Sequence, residues 1–246
     1  MSETRDHPSL PRTARERARA EITREILDAA RGHLATDGAP ALSLRAIARD
    51  LGMASSALYR YFKSRDELLT RLIVDAYDSL GAAAEAAEAP VDRNDLPARF
   101  TAICHAVRAW ALTHPNEYAL IYGSPVPGYV APPDTVAPAT RVTTLLMWII
   151  IDATAAGRIP ASDAQALQDP DTGAAAAALT PIRSYLPQNI PAPLIQRALM
   201  VWTGLFGAVS FELYGQLHQV VAEDPADRAA FFADCVRHWI QFMDLR

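Results

Sequence analysis

The feature that most constrains this chain is a pair of short helical segments separated by a glycine, within residues 43–62. Ser43 is a suitable N-cap for the first segment, and Gly52 supplies the turn that ends it. Ala48 allows the two segments to approach closely, and Leu58 is placed to pack between them. The spacing predicts a helix-turn-helix, in which the second helix, expected from Ser55 or Ser56 to about Phe62, enters the major groove of DNA.

Helical periodicity continues on both sides of this unit. Apolar residues at spacings of three and four predict a helix over 15–36, ended by Gly38, and another that is capped by Ser64 and runs to about residue 80. The alanine-rich stretch 81–92 then marks a boundary. We expect a loose arm, a DNA-binding domain and a larger second domain over residues 1–14, 15–80 and 81–246.

The second domain also carries helical patterns and no convincing strand. Residues 124–138 hold five prolines in fifteen positions, which argues against a helix or a central strand there. Asp224 followed by Pro225 is an N-cap and first-turn signal for the last helix. The predicted class is all-α, with the longer helices of the second domain at about residues 95–113, 139–156, 192–219 and 225–245.

Charge is distributed unevenly along the chain. The net charge of −5 divides into +2 over residues 1–70 and −7 over the remainder. Residues 43–65 hold five basic side chains against the single acidic Asp50, and such a basic footprint on an acidic body favours docking on phosphate. The basic residues are Arg45, Arg49, Arg60, Lys63 and Arg65.

The exposed positions of the helix-turn-helix are the candidate DNA contacts. Serine and tyrosine hydroxyls and Lys63, the sole lysine, are suitable phosphate donors that set position more than sequence. The candidates are Ser43, Arg45, Ser55, Ser56, Ala57, Tyr59, Arg60, Tyr61 and Lys63.

The run Leu58-Tyr59-Arg60-Tyr61-Phe62-Lys63-Ser64-Arg65-Asp66-Glu67-Leu68-Leu69, preceded by Ile47-Ala48 and Leu51-Gly52-Met53, resembles the signature of the tetracycline-repressor (TetR) family. With the preceding helix, the resemblance covers residues 15–80. It implies a bacterial homodimeric regulator, most often a repressor, with a three-helix DNA-binding head. It also implies a larger helical domain that binds a small ligand and dimerises.

One part of the signature departs from the family pattern. Many members carry Ser-x-Gly-Thr before the Leu-Tyr pair, whereas this chain has Ala54-Ser55-Ser56-Ala57. We therefore expect Ser55 to take over the N-cap, which shifts the helix start by one residue. Ala57 offers a methyl group to thymine in place of a hydroxyl, so the change concerns sequence preference.

The second domain resembles a C-terminal subtype of the family that carries a Trp-His-Gly motif, here Trp202-Thr203-Gly204. Aromatic residues at core spacing either line a ligand pocket or belong to the core, and Glu212 either contacts a ligand or forms an ion pair. The candidate pocket residues are Trp110, Tyr118, Tyr122, Trp148, Trp202, Phe206 and Glu212.

The last two helices carry more apolar surface than one small domain would leave exposed, which predicts a dimer interface. The candidates are Leu199, Leu213, Phe231, Phe232, Cys235, Trp239 and Phe242. The family resemblance further implies that a ligand bound within residues 95–215 moves helix 66–80, expected to be the only rigid link to the head, and so changes the separation of the two heads on DNA.

Competing functions find less support in the sequence. An enzyme is disfavoured because the chain has no Gly-x-Ser-x-Gly elbow, phosphate-binding glycine loop or His-Glu-x-x-His pair. An activator or architectural DNA-binding protein stays open, with a second domain that binds a protein partner through the proline-rich segment. No cofactor or metal is expected, because Cys235-x-x-His238 alone is a weak metal signal.

The expected compartment is the cytoplasm. The first twenty residues are polar and arginine-rich, and the two cysteines, Cys104 and Cys235, cannot form a disulfide framework. The most apolar stretch, between Arg197 and Glu212, would span only about 21 Å as a helix, against about 30 Å for a bilayer. The expected partners are therefore an operator in double-stranded DNA, a second copy of the chain and an unidentified small apolar ligand, without a membrane.

Overall fold

The structure is a computed structural model that describes residues 13–158, 177–183, 186, 190 and 192–245. All regular structure within these residues is helical, as the sequence predicts. The α-helices are α1 (Ala14–Asp37), α2 (Leu44–Asp50), α3 (Ser55–Leu58), α4 (Arg65–Glu88), α5 (Leu96–Thr113), α6 (Pro115–Tyr122), α7 (Val136–Ala139), α8 (Arg141–Ala155), α9 (Thr180–Arg183), α10 (Ala192–Leu213) and α11 (Pro225–Met243). The first twelve residues of the predicted arm lie outside the described residues.

The head is a small core enclosed by α1, α2, α3 and the first half of α4. Side chains cap its helices: Thr13 forms a capping box with Glu16, and Ser64 accepts a hydrogen bond from the backbone of Glu67. The core consists of Ile26, Leu27, Ala30, Leu34, Leu42, Leu44, Ile47, Ala48, Leu58, Phe62, Leu68, Leu69, Leu72 and Ile73.

Helix α4 does not end near residue 80 but continues to Glu88. Alanine is the best helix former, so the alanine-rich stretch extends the helix until Pro90 approaches. Leu72 and Ile73 of this helix lie in the head core, whereas Leu80 and Ala84 lie in the core of the second domain. One rigid helix is therefore shared by both cores, and it crosses the boundary expected at residue 81.

The second domain, here called the body, is built around α5, which packs against α4, α8, α10 and α11. Ile103 and Val107 of α5 are fully buried in this core. The prediction that the proline-rich segment excludes helix was wrong for its second half, which forms a 3₁₀ turn over Pro133–Thr135 and then α7. Proline is tolerated in the first turn of a helix, where its missing N–H has no partner to lose.

Head and body also touch away from α4. Leu120 of α6 and Val126 of the following loop pack against the head core. Two hydrogen bonds join the same region to α4 itself: the hydroxyls of Tyr129 and Thr70 lie 2.9 Å apart, and the Tyr77 hydroxyl donates to the carbonyl oxygen of Ile121 at 3.2 Å. Helix α6 also packs against α1 of the head. The expectation that α4 is the only rigid link was therefore wrong.

By length and apolar composition alone, α10 could cross a bilayer. Residues 133–139 and α8 meet the same criterion only if this bent pair is counted as a single span. The core helix of a soluble protein meets the same criterion. Helix α10 ends at Leu213, earlier than predicted, and Gly215 takes a positive φ of 78° in the turns that follow.

Candidate nucleic-acid interface

The turn of the helix-turn-helix depends on Gly52, which adopts a left-handed φ of 64°. The backbone N–H of Met53 donates to the carbonyl oxygen of Ala48 at 2.8 Å, which folds the chain back toward α2. Ala48 and Leu58 are fully buried where α2 meets α3. The helix-turn-helix is thus held by the residues that the sequence indicated.

Helix α3 is shorter than predicted and starts differently. It ends at Leu58, and residues 59–61 form tight turns in which the N–H of Tyr61 donates to the carbonyl oxygen of Leu58 at 2.8 Å. Its N-cap is Ala54, which offers no side-chain acceptor, so the prediction that Ser55 takes the cap was wrong. As a result the hydroxyls of Ser55 and Ser56 are not used for capping and stay exposed.

The exposed surface of the head, here called the reading face, carries cations and hydroxyls with no partner among the described residues. Ala57 and Tyr61 are half-buried beside it. The Ser43 hydroxyl caps α2 as predicted, since it accepts a hydrogen bond from the N–H of Ala46 at 3.5 Å, and its proton stays available to a phosphate, so Ser43 stays a predicted DNA contact beside this face. The reading face consists of Arg45, Ser55, Ser56, Tyr59, Arg60 and Lys63.

Arg65 does not belong to the basic footprint. Its Nε donates to the carbonyl oxygen of Leu42 at 3.1 Å, and its Nη2 donates to the carbonyl oxygens of Ala39 and Pro40 at 2.8 and 3.2 Å. The side chain therefore closes the loop between α1 and α2. Spacing along the sequence could not separate this role from phosphate binding.

Arg19 is a positioning residue that the sequence did not single out. Its guanidinium lies 5.1 Å from the centre of the Tyr61 ring, and its Nη2 donates to the carbonyl oxygen of Arg60 at 3.4 Å. The first helix thereby supports the chain that follows α3. The only available signal was the density of arginines at the start of α1.

The body brings four of the predicted pocket residues together. The ring of Tyr122 lies 4.3 Å from that of Phe206 and 5.0 Å from that of Tyr118, and Phe206 meets Trp202 at 5.8 Å. The Tyr118 hydroxyl donates to the carbonyl oxygen of Phe206 at 3.1 Å, and burial raises the pKa of Tyr118 to about 12. Burial also raises the pKa of Tyr122. These phenols are therefore neutral at physiological pH.

The other three predicted pocket residues lie elsewhere. Trp110 stacks on His114 and its Nε1 donates to the Ser79 hydroxyl at 2.9 Å. Trp148 is 46% exposed, since it lies on the outer side of α8. Glu212 forms a bidentate ion pair with Arg108, with nitrogen–oxygen distances of 2.7 and 2.5 Å, so its carboxylate has a structural partner.

Some of the predicted dimer residues pack inside the subunit, and others lie at its surface. Phe232 is buried within the subunit between His105 and Trp239, whereas Leu199 is half-buried and lines a cavity between α8 and α10. Leu213, Cys235 and Trp239 are half-buried. The outward apolar side chains are Met200 and Phe211 of α10, Tyr214 directly after it, and Phe231 and Phe242 of α11, and the first three were not predicted.

The chain resembles known proteins in both its head and its body. Residues 26–72 match the family "Bacterial regulatory proteins, tetR family", and residues 100–238 match "Tetracyclin repressor-like, C-terminal domain". The HTH-type transcriptional regulator Rv1816 of Mycobacterium tuberculosis is 41% identical over 208 residues, which cover 85% of this chain and 87% of that protein. A regulator of Mycobacterium bovis has the same identity and coverage.

Solved structures agree with this assignment. The structure of the regulatory protein SCO4313 is 40% identical, has a TM-score of 0.71, and the match covers 93% of this chain and all of that one. A Rhodococcus sp. RHA1 protein of unknown function is 25% identical with a TM-score of 0.62, covering 96% and 98% of the two chains. TetR-family regulators bind DNA operators, form dimers and are not enzymes. The chain belongs to the TetR family of DNA-binding transcriptional regulators.

Proposed function

We propose that this regulator is a ligand-responsive repressor that binds a palindromic operator as a homodimer in the bacterial cytoplasm. The observation that carries the proposal is the unpaired reading face on a head whose core shares α4 with the body. Because the two heads of a dimer must lie about one helical turn of DNA apart, or a multiple of it, a shift of α4 changes operator affinity. A ligand that favours the wrong separation releases the operator by population shift.

The reading face is tested by replacing Lys63 with alanine. We expect weaker operator binding and a log-affinity against log-salt slope that is shallower by about 2 for a dimer, because each subunit loses about one phosphate contact. Gel shifts with the DNA upstream of the gene, across a salt series and with excess unrelated DNA, measure both quantities. Tyr59→Phe run alongside removes a phosphate-donating hydroxyl without the charge.

The control is Arg93→Ala, since Arg93 is also an exposed cation and lies in the body, after the far end of α4. Its salt slope should equal that of the wild type. Equal salt slopes for the wild type, Lys63→Ala and Arg93→Ala would contradict the assignment of Lys63 to the phosphate backbone.

The dimer interface is assigned to an apolar stripe on α10 and α11. Met200, Gly207, Phe211 and Tyr214 recur at helical spacing, and a Cβ added to Gly207 would meet no atom within 4 Å. Arg197, near the start of α10, donates to the carbonyl oxygen of Phe242, near the end of α11, at 3.4 Å, so the two helices run antiparallel. Helix α11 exposes Phe231 and Phe242. The same stripe on a second copy of the chain would cover the exposed faces of α10 and α11 in an isologous contact.

We expect Phe211→Asp to weaken dimerisation at least about tenfold, because a charge replaces a buried anchor in both subunits at once. Sedimentation velocity over a concentration series measures the monomer–dimer equilibrium. Val130→Asp is the control, because Val130 is 86% exposed on the proline-rich segment. A Phe211→Asp protein that stays as dimeric as the Val130→Asp protein would overturn the interface.

A further inference from the structure

Within the described residues, the indole nitrogen of Trp202 is the only buried side-chain nitrogen or oxygen without a hydrogen-bond partner. An unpaired buried donor loses its hydrogen bonds to water and gains none, so native proteins rarely keep one. Trp202 lies in the middle of α10, and its ring packs edge-on against Phe206. The Trp202 Nε1–H group therefore could donate to an acceptor atom of a bound ligand.

Two cavities meet at this residue. One has a volume of about 50 Å³ and lies between α8 and α10, with Thr143 and Met147 in its wall. The other has a volume of about 20 Å³ and is lined in part by Phe100. They share Leu146, Ile150, Ala198 and Trp202, so a change of rotamer at the three larger side chains would join them into one narrow space.

The lining sets the chemistry of an occupant. Among the described residues of both walls no side chain is charged, and the polar groups are the Trp202 indole and the Thr143 hydroxyl. A charged group would lose its hydration there without gaining an ion-pair partner. The apolar walls suit an aliphatic ligand, which needs more volume than the two cavities provide and so enters only when the side chains between them move. A single acceptor oxygen would satisfy the unpaired donor.

We propose that the ligand of this regulator is an elongated, uncharged, mainly aliphatic molecule whose carbonyl oxygen accepts a hydrogen bond from Trp202 Nε1. This inference rests on the proposed ligand response and names the class of ligand. Ring contacts lead from the site toward the head: Trp202 meets Phe206, Phe206 meets Tyr122, and Tyr122 meets Tyr77 of α4 at 5.9 Å. A ligand that displaces Trp202 therefore reaches α4 through packed side chains.

The test observes the indole proton directly. The chain has four tryptophans, so a ¹⁵N-labelled sample gives four indole signals, and the one lost in Trp202→Phe belongs to Trp202. The probes are 2-nonanone, which carries a carbonyl oxygen, and 1-nonene, which has the same chain length and no such acceptor. We expect 2-nonanone to move the Trp202 signal downfield and 1-nonene to bind without that shift.

Affinities give the second readout. We expect Trp202→Phe to weaken binding of 2-nonanone about tenfold, because one hydrogen bond is lost, and to leave 1-nonene unchanged. Trp148→Phe is the matched control, since Trp148 is exposed on the outer side of α8 and should change neither affinity. Equal losses for both probes, no shift with any straight-chain methyl ketone, or a Trp202 proton already bonded to an ordered water would overturn the proposal.

Operator binding separates the two hypotheses. Gel shifts without any probe report on the reading face and the dimer alone. A protein that binds its operator yet shows no ketone-dependent indole shift retains the proposed DNA binding and refutes the ligand class. A protein that shows the indole shift yet keeps its operator at saturating 2-nonanone supports the site and contradicts the ligand response.

Discussion

Replacing Arg99 with methionine is expected to lower the free energy of unfolding by about 3–5 kcal/mol. The guanidinium is 3% exposed and joins three helices, because its Nε donates to Glu88 at 2.5 Å and its Nη1 to Asp152 at 2.7 Å. Burial disfavours the charged guanidinium, but the hydrogen bonds that it donates to Asp152 and Glu88 outweigh this effect, so the pKa of Arg99 is raised. Methionine fills a similar volume but leaves the Glu88 carboxylate without its cation and Asp152 with only the exposed Arg93.

Urea unfolding followed by circular dichroism measures this loss. Arg93→Met is the matched control, since Arg93 pairs with the same Asp152 at 2.9 Å but is 67% exposed. Exposed ion pairs contribute little, so we expect a change below about 1 kcal/mol for that variant. Equal losses for the two variants would show that burial of the Arg99 charge does not stabilise the junction of α4, α5 and α8.

Gly81→Ala is expected to destabilise the protein by about 1–3 kcal/mol, although alanine normally stabilises a helix relative to glycine. A Cβ at Gly81 would lie 2.7 Å from Nε and 2.8 Å from Cβ of Arg141, so the Arg141 side chain and the start of α8 must move. That movement breaks the hydrogen bonds of Arg141 to Glu85, at 2.6 and 2.8 Å, and to Asp78, at 2.8 and 2.9 Å. The glycine therefore lets α8 lie directly on α4.

A double-mutant cycle makes this prediction sharp. In an Arg141→Gly background the Nε, Cδ and Cβ atoms that obstruct the new methyl group are all absent, so Gly81→Ala should stabilise by about 0.5–1 kcal/mol. Gly32→Ala is the control, because Gly32 lies in α1 with open space around its Cβ position and should stabilise in either background. If Gly81→Ala stabilised the wild-type protein as Gly32→Ala does, the close packing of Arg141 on Gly81 would not be needed to place α8 against α4.

Local signals in the sequence were enough for most of the fold. Ser43, Ser64 and Asp224 were predicted caps, and each accepts a backbone hydrogen bond at the start of its helix. Gly52 was the predicted turn and has the required left-handed conformation. These residues act on neighbours within a few positions, so the pattern along the chain contains the physical cause.

The candidate site was predictable only in part. Lys63, Arg60 and Arg65 follow one another closely in a basic segment, yet Arg65 turns inward to three carbonyl oxygens and only the other two stay free. Which of several cations meets DNA depends on where the loop between α1 and α2 passes. That path is set by packing between elements far apart in sequence.

The sequence by itself determined the helical class, the helix-turn-helix and most helix positions, because periodicity, caps and turns are short-range. Tertiary structure alone decided what each apolar or charged side chain faces. Phe231 and Phe232 are adjacent in one helix, yet α5 covers Phe232 and leaves Phe231 exposed. Glu212 meets Arg108 across a separation of 104 residues, which no local pattern records. Helical spacing repeats in the same way for core, cavity and interface, so only the packing of distant helices distinguishes them.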